Sequence, residues 1–500
     1  YIPEDQIVTR CNEVKTRKLL ADCKAANYNF IRVWGGGYYP DEYFYDYCDE
    51  NGIIVWQDFM FACSAYLLTE EFEETVRGEV RDNVIRLRNH PSLGLWCGNN
   101  EIESAWEYWG LPEDEEAKRD YLIIFEDIIP QVLKAYDPCE NTFYWPSSPS
   151  SGGGFKDASS NHAGDMHYWD VWHNFKPIEA FREFYYRFCS EYGFESLPDI
   201  KTCRAFADET KGDFDLCSPV MAAHQKCVQG NEKIMYYLAQ MVRYPYDFKK
   251  LIYSSQLVQA DCIRSNVEHM RRARGRCMGS AYWQVNDSNP VISWSSIDYF
   301  GRWKGLHYYA KRFYAPCLIS CDDTHRKNPV LNISNERMTA FEGIVRWKLR
   351  NNKAEILQSG EKSVNVPALT AQNVLTIDLS DELKNRTDPR EKYLEYSIME
   401  NGKVLSFGTT LFVRPKEFTF LEPKITYGIS ESEDKFALTF CAENYAKSVC
   451  LSLKTADCVF SDNWFDIHGK EPVTIMIDKA SLSRKMTAQE LSEELEIMHN

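Results

Sequence analysis

The chain of 500 residues carries 74 Asp and Glu against 57 Lys and Arg, a formal net charge of -17 with a pI near 5.2. So acidic a surface repels a phosphate backbone and excludes nucleic acid as a partner. No apolar run approaches the roughly 18 residues of a membrane helix, and the balance of 44% hydrophobic and 26% charged residues is that of an ordinary globular protein rather than a membrane or disordered one.

From the first residue to about 315, short apolar runs rich in Val, Ile, Trp and Tyr alternate with longer helical patterns, the signature of repeated βα units. Tyr1-Ile2-Pro3 stand a few residues ahead of the first helical stretch, where the tail of a first strand is expected. Strands are predicted at 30–34, 53–57, 93–98, 142–145, 165–168, 188–192 and 279–284. Helical patterns fall at 15–26, 40–50, 70–89, 121–136, 178–187, 222–274 and 303–313. The strands are apolar throughout rather than alternating, as in a parallel sheet buried on both faces. Seven strands are one short of a closed ring, so the reading is an α/β fold, a TIM (β/α)8 barrel lacking most of its first strand. After Pro316 the rhythm changes to short alternating runs with turn signals at Asn351-Asn352, Asn401-Gly402 and 461–463, which predicts two immunoglobulin-like β-sandwich domains. The expected domains are 1–316, 317–415 and 416–500.

The 17 cysteines are odd in number and scattered without framework spacing, so they read as reduced thiols; the expected compartment is the cytoplasm, with a lysosomal or secreted protein as the alternative. Sequons at Asn286, Asn332 and Asn385 would carry glycans only in a lysosomal or secreted protein.

Polar side chains at the C-terminal ends of barrel strands face the substrate, whereas strand interiors serve packing. Here the strand ends read Arg32-Val33-Trp34, Trp56-Gln57-Asp58, Asn99-Asn100-Glu101, Asp165-Met166-His167-Tyr168-Trp169, Ser190-Glu191 and Trp283-Gln284-Val285-Asn286. Glu101 and Glu191 are the candidate catalytic pair, because retaining hydrolysis of a glycoside needs two carboxyl groups about 5 to 5.5 Å apart. Asn100, Arg32, Trp34, Asp58, His167, Trp169 and Trp283 are the candidate substrate-binding residues, indoles for the flat face of a sugar and polar groups for its hydroxyls. Each has a plainer reading: Glu101 as a first-turn helix residue, Glu191 as a buried partner of Arg32, any one aromatic as core. Glu103 is the natural decoy beside Glu101. Gly35-Gly36-Gly37 lacks the spacing of a nucleotide loop and reads as room for backbone close to a ligand. His162, His167 and His173 lack carboxylates at ligand spacing, so no metal is expected, and no organic cofactor.

Together these segments resemble the β-mannosidases of glycoside hydrolase family 2. The resemblance rests on Asn29-Phe30-Ile31-Arg32-Val33-Trp34-Gly35-Gly36-Gly37, Val55-Trp56-Gln57-Asp58-Phe59-Met60-Phe61, Arg88-Asn89-His90-Pro91-Ser92 leading into Trp96-Cys97-Gly98-Asn99-Asn100-Glu101, Gly164-Asp165-Met166-His167-Tyr168-Trp169, Ser190-Glu191-Tyr192-Gly193 and Tyr282-Trp283-Gln284-Val285-Asn286-Asp287. It implies an acid/base at Glu101, a nucleophile at Glu191, Asn100 on the sugar 2-hydroxyl, Arg32 keeping Glu191 ionised, and Trp34, Trp169 and Trp283 as pocket walls. It implies exo-cleavage of terminal non-reducing β-D-mannose by double displacement, on oligosaccharides, N-glycan cores or mannan fragments. Related alternatives are an endo-β-mannosidase, exo-β-glucosaminidase, β-glucuronidase, β-galactosidase or a non-catalytic carbohydrate-binding barrel. The family carries further N-terminal domains, expected as partners of this chain within the same protein. Double displacement also expects Glu101 protonated and Glu191 ionised at rest.

Overall fold

A computed structural model describes residues 1–111, 114–139 and 142–500, and its chain divides into two compact units. The first unit comprises Tyr1–Gly193 and Gly275–Asn289. Its strands are β1 (Phe30–Val33), β2 (Ile54–Asp58), β3 (Leu93–Cys97), β4 (Tyr144–Trp145), β5 (Met166–His167) and β6 (Cys189–Glu191). β1 to β4 pair in order and in parallel, as do β5 and β6. The N–H of Asp165 donates to Ser150 O at 3.2 Å and that of Ala281 to Cys189 O at 2.9 Å, which carries the pairing from β4 to β5 and from β6 to residues 280–283. Residues 279–284 form bridges at Ser280 and Trp283 instead of the predicted continuous strand. Tyr1 pairs with β1, donating to Arg32 O at 2.7 Å and accepting from Trp34 N at 3.2 Å. The Asn286 side-chain amide takes Ile2 N and gives to Ile2 O, standing in for a ladder pair on the other side. Parallel strands thus follow one another around a barrel.

The helices on this barrel are the ones their sequences dictate. Helix α1 (Glu13–Ala25) is capped by Asn12, whose side chain accepts from Lys15 N, and α2 (Glu42–Asn51) ends where Gly52 turns left-handed. In α3 (Glu70–Leu87) the buried residues Val76, Val80, Val84 and Leu87 make one stripe, and Glu70, Glu71 and Glu73 fill the first turn. Helix α4 (Ile102–Tyr108) begins directly after Glu101. The predicted helix 121–136 starts earlier, at Glu115, and passes through a π segment, Ile123–Ile128, just ahead of Pro130. Proline cannot donate and its ring crowds the carbonyl four residues back, so the ladder slips, and Ile129 N bonds to Ile124 O.

The second unit comprises Phe194–Arg274 and Pro290–Asn500. The single helical stretch predicted over 222–274 is three helices, Pro219–Ala223, Gly230–Met241 and Phe248–Arg272. Pro245 lies in the second break, and Asp247 caps the helix that follows. After helix Gly305–Phe313 the chain is antiparallel. Strands β7 (Cys317–Asp322), β8 (Val330–Asn335), β9 (Phe341–Asn351), β10 (Ile356–Val366), β11 (Thr370–Thr376), β12 (Lys392–Glu400) and β13 (Lys403–Leu411) form the sheets β10-β9-β12-β13 and β11-β8-β7. Ile319, Ile333, Val345, Leu349, Leu394 and Phe412 fill the space within this sandwich. Asn401 and Gly402 both take positive φ, 51° and 77°, as the two-residue turn between β12 and β13 requires. A second sandwich follows, with β14 (Thr426–Glu431), β15 (Lys435–Cys441), β16 (Tyr445–Leu453), β17 (Phe465–His468), β18 (Val473–Asp478) and β19 (Leu495–Met498) in sheets β14-β15-β18 and β17-β16-β19. No helix among the described residues is long and apolar enough to cross a membrane.

Candidate active site

The C-terminal ends of β1, β2, β3, β5 and β6 converge in the first unit on one polar cluster. Arg32, last but one in β1, is buried and spends its guanidinium on three acceptors. It donates to Asp58 from Nε at 3.3 Å and Nη2 at 2.8 Å, to Asn100 Oδ1 at 2.8 Å and to Glu191 Oε1 at 3.2 Å, and it lies 3.4 Å from His167 Nε2. Asp58 closes β2 with zero exposure, and its oxygens also accept from Trp56 Nε1 at 2.8 Å and Gly35 N at 3.0 Å. Burial works against the charge on Arg32, but Asp58 and Glu191 outweigh it and hold the guanidinium well above its ordinary pKa.

Glu101 follows β3 with φ 61° and ψ 14°, a left-handed conformation unusual for a residue with a side chain and of the kind found at functional sites. Its N–H donates to Ser148 O at 2.8 Å. Its Oε1 accepts from His167 Nδ1 at 2.7 Å, and its Oε2 lies 3.8 Å from the Cys63 thiol. Glu191 closes β6, taking Trp169 Nε1 on Oε2 at 3.2 Å, with His167 Nδ1 3.3 Å from the same oxygen. A carboxylate oxygen of Glu101, a ring nitrogen of His167 and a carboxylate oxygen of Glu191 all lie within 4.8 Å of one another. Burial pushes the Glu191 carboxyl up and Glu101 adds to this, more than His167, Arg32 and Trp169 pull it down. Burial also acts to raise Glu101, but the hydrogen bond and charge of His167 win and set it below the usual carboxylate range. The two shifts thus run opposite to the expectation that Glu101 holds the proton and Glu191 the charge, because the ring of His167 sits against Glu101.

Half-buried Trp34, Trp169 and Trp283 stand around this cluster. Trp34 meets Trp283 edge-on with ring centroids 5.1 Å apart, and Trp169 reaches Glu191. A Cβ on Gly36 would fall 1.9 Å from the Trp34 ring, so the glycines make room for this indole, a nearer neighbour than the expected ligand.

Several of the expected substrate-binding residues have protein partners of their own. Asp58, expected to face the sugar, is fully buried with both oxygens meeting donors. The Arg32 donors face protein acceptors. His167 has neighbours on both ring nitrogens. Asn99 and Asn286 are also spent, on Pro146 O, Ile102 N and Ser147, and on the backbone of Ile2. Among the described residues, the Asn100 amide N–H meets the Cys63 thiol, a weak acceptor, at 3.3 Å. Glu103 accepts from Phe155 N at 3.3 Å and is buried to 1% exposure. Not foreseen were Ser148, Ser190 and the anchoring role of Asp165. The signal available was the hydroxyl run Ser147-Ser148-Pro149-Ser150, which closes an otherwise apolar strand.

Two carboxylates facing each other over the C-terminal strand ends of a parallel barrel are the arrangement of the barrel glycosidases. Residues 330–417 match the Mannosidase Ig/CBM-like domain model and residues 420–500 match the Ig-fold domain of the mannosidases. The chain is 31% identical over 500 residues to β-mannosidase B of Aspergillus clavatus, covering 93% of this chain and 58% of that protein. It is 34% identical over 348 residues to the β-mannosidase of Bos taurus, covering 64% of this chain and 38% of that one. The crystal structure of the β-D-mannosidase of Dictyoglomus thermophilum superimposes with a TM-score of 0.90 at 30% identity, over 100% of this chain and 59% of that one. An exo-chitosanase of Amycolatopsis orientalis, 16% identical with a TM-score of 0.73 over 100% of this chain and 62% of its own, shares the fold. Over most of its own length the chain is therefore similar to proteins named β-mannosidase. It spans less than two thirds of the length of these relatives.

Proposed function

We propose that this chain is the catalytic portion of a retaining exo-β-mannosidase, cleaving terminal non-reducing β-D-mannosyl residues from oligosaccharides by double displacement. The observation that carries the reading is the approach of the Glu101 and Glu191 carboxylate oxygens to within 4.8 Å. Retaining enzymes hold their carboxyl groups about 5 to 5.5 Å apart, whereas inverting ones leave about 6.5 to 9.5 Å for a water. Glu191, ionised when sugar is bound, attacks the anomeric carbon, and the departing oxygen takes its proton from Glu101. Water then attacks the glycosyl ester, with Glu101 as base. In this reading Asn100 serves the 2-hydroxyl, and Trp34, Trp169 and Trp283 form the walls. The chain reads as a barrel over 1–316 with sandwiches at 317–415 and 416–500, the last two supported by the matched models. A reducing compartment such as the cytoplasm suits its 17 scattered cysteines.

The test is turnover of aryl β-mannosides by the protein and two variants. Glu191→Gln is expected to abolish hydrolysis. Glu101→Ala should slow poor leaving groups by about 10²- to 10⁴-fold and activated phenolates far less. Equal losses on both leaving groups would remove Glu101 from the acid role, and an inverted product would remove Glu191 from the nucleophile role.

A further inference from the structure

Behind the two glutamates lies a buried chain of hydrogen bonds that the proposed reaction does not itself require. Asp165, 3% exposed, precedes β5 and accepts four bonds. Trp145 Nε1 at 2.8 Å and Ser150 N at 3.0 Å reach its Oδ1, and Ser148 Oγ at 2.7 Å and Ser190 Oγ at 2.5 Å reach its Oδ2. Four donors leave this carboxylate no place for a proton of its own. Ser148 Oγ has a single hydrogen, and the carboxylate takes it. Toward His167 Nε2, 3.0 Å away, the serine therefore presents a lone pair, and the ring nitrogen must donate. On the other side, His167 Nδ1 faces Glu101 at 2.7 Å and Glu191 at 3.3 Å, both acceptors when ionised. With an acceptor facing each nitrogen, the geometry favours an imidazolium, although the donor-only Arg32 Nη1 lies 3.4 Å from Nε2.

We propose that Asp165 and Ser148 are positioning residues of the mannosidase reaction proposed above, whose hydrogen-bond polarity stores the acid proton on His167 for delivery through Glu101. The proposal rests on that reading for the step it serves, and on the geometry alone for the charge of the ring. In the step itself, the N–H bond at His167 Nδ1 breaks as an O–H bond forms on Glu101. Glu101 in turn protonates the departing glycosidic oxygen, and the ring is left as neutral imidazole. When water attacks the glycosyl ester, Glu101 takes up the proton that the water releases and returns it to Nδ1, which restores the start. The pair therefore titrates as one unit holding one mobile proton.

The groups facing the ring from the surrounding elements agree with this polarity. Glu101 at the start of α4, Glu191 on β6 and Asp165 before β5 are negative. Arg32 on β1, 3.4 Å from Nε2, is the opposing cation, and Asp58 on β2 pairs with it at 2.8 Å. His173 adds a weaker pull on Glu101. Burial disfavours a charged ring, but Glu191 and Glu101 overcome it, and His167 stays protonated above the ordinary histidine range.

Two variants of the full protein test this. Ser148→Ala deletes the acceptor at Nε2, and Asp165→Asn turns the chain around, because the new amide can donate to Ser148 and free its hydroxyl to donate to the ring. The first readout is kcat/KM against pH on a β-mannoside with a poor leaving group. The alkaline limb, where the pair loses its proton, is expected to fall by about one pH unit in both variants. A uniform loss of rate with the limb unmoved would overturn the proposal. The second readout needs no substrate. In protein labelled with ¹⁵N-histidine, the His167 resonances, identified by their loss in His167→Gln, should show both nitrogens protonated at pH 7 in the parent and one in Ser148→Ala. A neutral ring in the parent would overturn the proposal even if mannosides are hydrolysed. If mannosides are not hydrolysed, the function proposed above fails, and the ¹⁵N spectrum still decides the charge of His167.

Discussion

Two residues show how the site depends on what lies beneath it. Asp58 and Arg32 form a buried ion pair at 2.8 Å, with 0% and 6% of their side chains exposed. Such a pair adds little net stability against an apolar substitute, but breaking it leaves an uncompensated charge. Asp58→Asn is therefore expected to cost about 3 kcal/mol in a urea titration, and to lower kcat through the loosened Arg32. An unchanged midpoint would show that Arg32 has another acceptor. Gly36 is needed for contact rather than torsion, since any Cβ there overlaps the Trp34 ring. Gly36→Ala should expel this indole from the pocket wall and raise KM about tenfold with a change in tryptophan emission, the scale of one lost aromatic contact. At this scale the sequence was only half informative. It marked Glu101, Glu191, Arg32, Asp58 and His167 because each ends a strand, and the fold brings all five together. It could not tell which of them meet solvent, because occupancy by neighbours such as Gly35 N on Asp58 or Ser148 Oγ on His167 is set by residues some twenty positions away in the chain.

Among the elements, α4 bears most directly on the site. It starts directly after Glu101, and its Glu103 and Glu107 hold the following glycine-rich segment by accepting Phe155 N at 3.3 Å and Ala158 N at 2.7 Å, while Glu126 accepts Gly154 N at 2.6 Å. Burial raises Glu103 to about 7, with Glu126 adding to the effect. A carboxyl whose folded pKa exceeds its unfolded one contributes stability that is complete below the unfolded value, near 4.5, and is lost as pH rises through about 7. That loss is on the order of 3 kcal/mol. Glu103→Gln keeps the acceptor for Phe155 N without the charge, so its melting temperature should match the parent at pH 5 and exceed it at pH 8. Equal melting at both pH values would mean that Glu103 ionises freely in the folded protein. The elements themselves were legible where one rule dominated: β1 to β3 read as apolar runs because a parallel sheet is buried on both faces. They were misread where a local signal was overlooked. Pro245 sits inside the supposed helix 222–274, and Pro130 inside 121–136, and each disturbs the ladder in the way its missing N–H requires.

At the scale of the whole molecule the two units differ in what holds them. The first is organised around the buried polar network beneath Glu101 and Glu191, which its ring of parallel strands encloses. The second is built from extended helices and two sandwiches, and the sandwiches are joined by a small mixed contact. Tyr393 on β12 stacks on Tyr445 of β16 with centroids 3.8 Å apart, beside Phe418, and its hydroxyl lies 3.0 Å from His468 Nδ1. Next to this stack, Arg350 of β9 is 2% exposed and donates to Glu395 at 2.6 Å, to Ala354 O at 2.7 Å and to Glu471, in the other sandwich, at 2.5 Å. The sequence announced two sandwiches through their turns but not this joint, because neither Arg350 nor Glu471 belongs to any local pattern. Truncating Arg350 leaves Glu395 and Ala354 O facing an apolar void, although Glu471, half exposed, can turn to water. The expected cost of Arg350→Ala is therefore about 2 kcal/mol, below that of a fully buried pair. It should fall on the joint: hydrogen exchange is expected to quicken in β16 and β17, which pack through Tyr445 and His468, while β7 and β8, on the far sheet of the first sandwich, keep their protection. Equal loss across both sandwiches would show that they unfold as one body. Unchanged exchange in β16 would show that the aromatic stack holds the joint without the arginine.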